Sequence, residues 1–188
     1  MENDTTEAYE HTEHAQHVAH SGSSFLSKVA VSIALLAVLA AGAGSLETIE
    51  SGAATAARTE AVLLQNKATD NWNFFQAKSL KKNMYEIAAA QGGPSAPEWE
   101  AQAKRNEADS QDVQKVAKDF ETKSELSAQE AGRHESRHHF LTIAATFLHI
   151  AIAIATIAII TGGQRWPWYA SLGLGAIGTV IVGVAYIG

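Results

Sequence analysis

The chain has 188 residues, which suits a single domain of ordinary size, and it carries a net charge of -6 and no cysteine. An acidic balance without a run of Lys and Arg excludes a nucleic-acid binding surface, because phosphate binding needs clustered cations. The lack of cysteine excludes disulfides, thiolate zinc sites and cysteine nucleophiles. All 20 carboxylates lie at or before Glu135, so a charged part precedes an apolar C-terminal part.

Residues 1–24 form an acidic, histidine-rich tail that lacks the basic start and cleavage pattern of a secretory signal. Its histidines recur every third residue, so on a helix they would spread around about half of the surface. Such a tail can collect divalent transition metals weakly, or it is a solvated segment whose charge changes near neutral pH. The tail histidines are His11, His14, His17 and His20.

Three apolar runs follow, and each has about the 20 residues that a helix needs to cross a bilayer. Lys28 is the only charged residue within them, and its side chain can snorkel to the interface. We predict transmembrane spans at residues 25–46, 140–162 and 169–187. The short loop 163–168 between the second and third spans contains two Trp residues, which is typical of the membrane interface.

Residues 47–138, between the first two spans, carry apolar positions at helical spacing. Paired glycines and two prolines interrupt this pattern only at residues 91–97. The sequence therefore predicts a long antiparallel, coiled-coil-like helical hairpin, whose arms would project roughly 60 Å if unbroken. Its return arm has few large apolar residues, so we expect neighbouring copies to supply packing.

Two segments resemble a family of small bacterial membrane proteins described as domain of unknown function 4337. They are the histidine-spaced head at residues 10–20 and the segment TEAVLLQNKATDNWNFFQAKSLK at residues 59–81. The paired apolar segments at the C-terminus are also similar to the family. The resemblance implies a bacterial inner-membrane setting and supplies no catalytic residue.

His134 and His138 are four residues apart, which places both rings on one helical face, with Glu130 one turn earlier. This row could hold a divalent metal. The alternative is an interfacial cluster, because cationic and amphipathic residues just before a span anchor helices at headgroups.

Within the spans, His149 is the only titratable residue of span two, and we expect it to serve helix packing or, alternatively, proton or ion handling. Span three repeats small residues every four positions, which lets helix backbones approach closely. We predict a packing seam there, with a pore lining as the alternative. The seam consists of Ser171, Gly175, Thr179 and Gly183.

The sequence thus predicts an all-α membrane protein with three spans and a helical hairpin between the first two. No catalytic signature is present, so we expect a scaffold or accessory subunit that contacts lipid and homo-oligomerises, without an enzyme activity or a resident cofactor. The alternatives are a metal- or ion-handling membrane protein and a subunit of a larger respiratory or transport complex. Basic residues near the spans favour a cytoplasmic hairpin but leave its side unresolved.

Overall fold

The computed structural model describes residues 24–187, and this part of the chain contains helices and no strands. Helix α1 runs over Ser24–Ala90, α2 over Ala96–Ile160 and α3 over Arg165–Val184. Each contains a stretch long and apolar enough to cross a membrane. The predicted all-α class with three apolar helices is therefore confirmed. The four tail histidines lie outside the described residues.

Two pairs of glycines end the long helices. Gly92 and Gly93 adopt φ values of 77° and 105°, and Gly162 and Gly163 adopt 68° and 94°. L side chains rarely adopt these values, whereas glycine does so at little cost. The backbone can therefore leave α1 and α2 within a few residues and enter the next helix.

Helix α3 begins earlier than the predicted span three. It starts at Arg165, inside the predicted loop 163–168, and it includes the buried Pro167. Proline is tolerated there because the first N–H groups of a helix have no intrahelical acceptor. The helix ends at Val184, and residues 185–187 form a turn.

The chain divides into two compact units. We call Met1–Ala53 with Arg133–Gly188 the apolar unit, and Ala54–Gly132 the charged unit. In the apolar unit, the buried residues of α1 and α2 alternate in steps of three and four, which keeps them on one face of each helix. They include Val29, Ile33, Leu36, Ala40 and Ala43 on α1, and Leu141, Ala144, Leu148, Ala151, Ala155 and Ala158 on α2.

Large apolar side chains also cover the outside of the apolar unit. Val38 is 71% exposed and Ile160 is 78% exposed. In water such a surface would be an association site, whereas in a bilayer it contacts acyl chains. The exposed surface of the apolar unit is therefore apolar, in agreement with the apolar composition of its three helices.

The charged unit consists of residues of α1 and α2 that contact each other through small side chains and polar bonds. Its buried apolar residues are mostly alanine, with Leu64 as the largest. Residues with higher numbers on α1 pair with residues with lower numbers on α2. The pairs are Ala61 with Ser124, Trp72 with Glu121, Lys78 with Asp109, and Lys82 with Glu107.

Candidate functional site

Glu50 is a buried carboxylate of the apolar unit, and only 5% of its surface is exposed. Its burial follows from its position on α1. The buried face continues from Ala40 and Ala43 in the same steps of four and three to Glu47 and Glu50. Helical geometry thus directs both carboxylates towards the neighbouring helix, although each is the least suitable residue type for an apolar face.

Three side chains from two other segments surround Glu50. His134 Nδ1 on α2 lies 2.5 Å from its Oε2 atom. Arg137 Nη1, one turn later on α2, lies 4.0 Å from Oε1. The hydroxyl of Tyr186, just after α3, donates a hydrogen bond to the same carboxylate. We call these four residues the Glu50 cluster.

The surroundings of Glu50 act on its pKa in opposite directions. Burial raises the pKa, but hydrogen bonds from His134 and Tyr186, with the positive charges of His134 and Arg137, more than offset it. The net pKa lies below its usual value of 4.5. Glu50 is therefore a carboxylate at neutral pH, and its partners compensate the cost of burying that charge.

A second carboxylate pairs with α2 one turn closer to the apolar core. Thr142 Oγ1 donates a 2.6 Å hydrogen bond to Oε1 of Glu47. The same oxygen lies 3.8 Å from His138 Nδ1, which is too far for a hydrogen bond. His138 Nδ1 is buried and has no hydrogen-bond partner among the described residues.

The predicted histidine row thus faces carboxylates of α1. His134 contacts Glu50, and His138 lies near Glu47. Within residues 24–187, no three His, Asp or Glu side chains converge in a group that could hold a metal ion. Glu130, the third residue of the proposed row, is exposed. Chemically, the Glu50 cluster is a carboxylate that faces the Arg137 guanidinium and two hydrogen-bond donors, His134 and Tyr186.

Aromatic residues gather at the other end of the apolar unit. The indole N–H of Trp168 donates to Ser32 Oγ at 3.1 Å. Its ring meets the edge of Phe25, with 5.7 Å between the ring centroids. The Arg165 guanidinium lies 5.8 Å from the centroid of the same phenyl ring. Amphipathic aromatics beside a cation are the group expected at a headgroup layer.

The comparison with known protein families decides the membership of the chain. Residues 25–188 match the family described as "Domain of unknown function (DUF4337)". The chain belongs to this family. No curated protein and no solved structure matches it. The DUF4337 match covers all three apolar helices and the charged unit.

In the DUF4337 chain, the structure divides the predicted seam of α3. Ser171 and Gly175 are buried, whereas Thr179 and Gly183 are exposed. Gly178 takes the next inward position, where a Cβ would lie 3.0 Å from the carbonyl oxygen of Ala144. Each four-residue step drifts by about 40° around a helix, so the predicted row leaves the packing face after Gly175.

Gly175 packs against its own chain. A Cβ built on it would collide with the Cδ2 atom of Leu36 on α1. A Cβ on Gly183 would meet nothing within 4 Å. Thr179 and Gly183 are therefore the only members of the predicted seam that a neighbouring copy can reach.

His149 lies on the exposed face of α2, next to the exposed Ile150. The neighbouring Leu148 is fully buried. His149 therefore does not face the other described helices, and its packing role stays a prediction.

The sequence analysis did not select Glu47, Glu50 or Tyr186. A signal for the two carboxylates was present, since both continue the steps of three and four that define the buried face of α1. Tyr186 had no such signal. Its hydroxyl reaches Glu50 only because α3 packs beside both long helices.

Proposed function

We propose that this protein is an integral membrane scaffold that homo-oligomerises and presents a helical hairpin outside the bilayer. In this proposal the apolar unit spans the membrane three times, and the Glu50 cluster holds the three helices together at one interface. The proposed function is structural: the chain provides a fixed anchor and a surface for assembly.

The spacing of polar groups supports the membrane placement. Phe25, in the aromatic group, and Glu47, the first carboxylate of α1, bracket a stretch of α1 whose only charged residue is Lys28, close to its start. At a rise of 1.5 Å per residue they are about 33 Å apart, close to the roughly 30 Å of a hydrocarbon core. The hydrogen bond from Tyr186 to Glu50 supports the odd number of spans, because it brings the end of α3 to the end of span one.

The polar pairs of the charged unit support an antiparallel, coiled-coil-like hairpin. Lys78 Nζ lies 2.7 Å from Asp109 Oδ2, and Lys82 Nζ lies 3.1 Å from Glu107 Oε1. Both pairs cross from α1 to α2 beside a core of small residues. Such pairs favour one register over another, while each contributes little to stability at a surface.

The observation that carries the assembly proposal is the apolar surface left on the charged unit. Leu80, Met84 and Ile87 are 61%, 62% and 64% exposed, although this unit carries most of the charges of the chain. No acyl chains would cover these side chains outside the membrane. Complete burial of a fully exposed side chain of this size contributes about 1.5–3 kcal/mol of transfer free energy. These three side chains can still gain the larger part of it, which favours association.

Size and stoichiometry of the detergent-extracted particle test this proposal. We expect one subunit type in a defined oligomer, measured by light scattering with correction for detergent and by native mass spectrometry. A stable monomer would contradict the scaffold proposal. A particle with a second protein in fixed stoichiometry would favour the accessory-subunit alternative instead.

Ion handling has less support as a second function. It relied on His149, which lies exposed on α2, and on two histidine clusters. His134 and His138 face carboxylates, and the tail histidines lie outside the described residues. A proton pathway needs ionisable groups connected across the apolar region. On α2, residues 140–148, between His139 and His149, carry only apolar and hydroxyl side chains.

A further inference from the structure

A cavity of about 660 Å³ lies between α1 and α2 within the charged unit. Its lining residues come from positions 78–88 and 99–109, so it adjoins the turn at Gly92 and Gly93. A volume of this size suits a small organic molecule. We call it the inter-helix cavity, and the side chains that line it include Lys78, Lys81, Tyr85, Trp99, Arg105 and Asp109.

The inter-helix cavity follows from small side chains where the two helices face each other. The buried positions of α2 at this level are Ala103, Asn106 and Ser110, in steps of three and four. Asn106 Nδ2 donates to the carbonyl of Gln102 at 2.8 Å, and Ser110 Oγ donates to that of Glu107 at 2.7 Å. Both polar side chains thus bond to their own helix, which leaves space on the side of α1.

The cavity has an excess of positive charge, since three cations and one carboxylate line it. Lys78 Nζ lies 2.7 Å from Asp109 Oδ2, and its hydrogen bond holds the pKa of this carboxyl below its usual value of 3.8. Asp109 is therefore ionised at neutral pH and paired. Two cations remain without a carboxylate of their own, although the chain has a net charge of -6.

These two cations are Lys81 and Arg105, which are both exposed. Within the described part of the chain, neither makes a hydrogen bond or an ion pair, and Arg105 acts on Asp109 only through space. Lys82, by contrast, pairs with Glu107 across the helices. Two uncompensated cations at one cavity give it a local positive potential that attracts anions.

Two half-buried aromatic residues provide the rest of the recognition surface. Tyr85 on α1 and Trp99 on α2 line the same cavity, but among the described residues their rings contact no other aromatic ring. The Tyr85 hydroxyl and the Trp99 indole N–H also have no hydrogen-bond partner there. Aromatic rings of this kind stack on a planar ligand. Exposed cations such as Lys104 lack aromatic neighbours of this kind in the cavity lining.

The rings and the cations are separated along the helices by the length of a small molecule. Tyr85 lies four residues after Lys81, and Trp99 lies six residues before Arg105. Both rings are therefore closer to the turn than the cations. At a rise of 1.5 Å per residue, the separation is about 6–9 Å along the helix axis.

We propose that the inter-helix cavity binds a small aromatic anion, with its planar ring between Tyr85 and Trp99 and its anionic group facing Lys81 and Arg105. A guanidinium binds a carboxylate or phosphate through two parallel bonds, and the ammonium adds a point charge. A neutral aromatic would leave the two cations without an anion, and an inorganic anion would leave the rings without a stacking partner. The site lies within one chain, so this inference does not rest on the proposed scaffold.

Calorimetry on the full chain in a maltoside detergent tests the site with 2-naphthyl phosphate as the probe. A phosphate monoester carries about -1.5 to -2 charges at neutral pH, which matches two cations. We expect one probe per chain, with a Kd of about 1 mM or tighter. The matched probes are 2-naphthol, which lacks the anion, and inorganic phosphate, which lacks the ring. Each should bind at least about tenfold more weakly.

Single substitutions locate the binding site. Lys81→Gln and Arg105→Gln should each weaken probe binding by about three- to tenfold, because each removes one charged donor. Lys104→Gln is the matched control, since it removes the same charge one residue from Arg105 but outside the cavity lining. Trp99→Leu should weaken binding, and Trp99→Phe should retain most of it. These side chains are exposed or half-buried, so helix content by circular dichroism should stay unchanged.

Three outcomes would overturn the inference: no binding of 2-naphthyl phosphate, equal binding of 2-naphthol, or an equal loss in Lys104→Gln and Arg105→Gln. The second would assign the probe to an apolar surface or the micelle, and the third to the general charge of α2. Oligomer mass tests the scaffold separately. A monomer that binds the probe would overturn the scaffold alone, and an oligomer that does not bind it would overturn the cavity site alone.

Discussion

Replacing Glu50 with Gln tests whether the Glu50 cluster stabilises the apolar unit. The amide retains the size of the side chain but removes the negative charge that faces His134 and Arg137. A hydrogen bond to a charged group contributes about 1.5–3 kcal/mol. Part of this is recovered, because the variant no longer buries a carboxylate and because 38% of the Arg137 side chain is exposed. We expect a net loss of about 1–2 kcal/mol in the free energy of unfolding.

Glu47→Gln is the matched control, one turn away on the same face of α1. Glu47 accepts its short hydrogen bond from the neutral hydroxyl of Thr142, and an amide oxygen can accept the same bond. Its side chain is 27% exposed, against 7% for Glu50. We therefore expect Glu47→Gln to cost less than about 1 kcal/mol.

Two measurements would check this difference in detergent: reversible unfolding with denaturant, and hydrogen exchange of the backbone amides near residues 47–53 and 133–139. The Glu50 variant should unfold at lower denaturant and exchange faster in both segments. Equal stability and exchange in the two variants would show that the cluster does not hold the helices together.

The same cluster predicts a dependence on pH. Because the folded pKa of Glu50 lies below 4.5, the carboxylate binds fewer protons in the folded chain than in the unfolded chain. Its contribution is complete above that value and is lost as pH falls through the lowered folded pKa. Glu50→Gln should lack this part of the acid destabilisation, so the two stability curves should converge at low pH.

Three further predictions concern packing and topology. Gly178→Ala should destabilise the apolar unit by about 1–2 kcal/mol through overpacking against Ala144, whereas Gly183→Ala, in open space, should be neutral or stabilising by thermal unfolding. Trp72→Phe removes the 2.8 Å hydrogen bond to Glu121 and should cost about 1 kcal/mol, measured as faster exchange confined to residues 54–132. Tags at the two chain ends should be cleaved from opposite sides of sealed vesicles, and cleavage from one side would contradict three spans.

The apolar helices and the turn at residues 91–97 could be predicted because their signals are local. Chain composition determines whether a segment is long and apolar enough to cross a bilayer. Paired glycines followed by proline break a helix whatever surrounds them. The loop 163–168 was placed less well, since the sequence does not show that Pro167 lies in the first turn of α3, where proline is tolerated.

The packing face of α3 could not be predicted from spacing alone. Small residues occur at Gly173, Gly175, Gly178 and Gly183, and several rows can be drawn through them. The row chosen had constant four-residue steps, whereas the inward face follows steps of four and three to Gly178. Only contact with Leu36 and Leu148 on the neighbouring helices selects among the rows.

The Glu50 cluster follows from the sequence only when several local patterns are combined. Spacing alone placed His134 and His138 on one face, but it did not show what they face. Two helices joined by a turn bring together residues at nearly equal distances along the chain from that turn. Counted from Gly92 and Gly93, the positions opposite the two histidines are close to Glu50 and Glu47. The turn and the two buried faces together therefore place a carboxylate opposite each histidine, in hydrogen-bond contact at His134 and 3.8 Å away at His138, so a metal is not needed to explain why the histidines lie on one face.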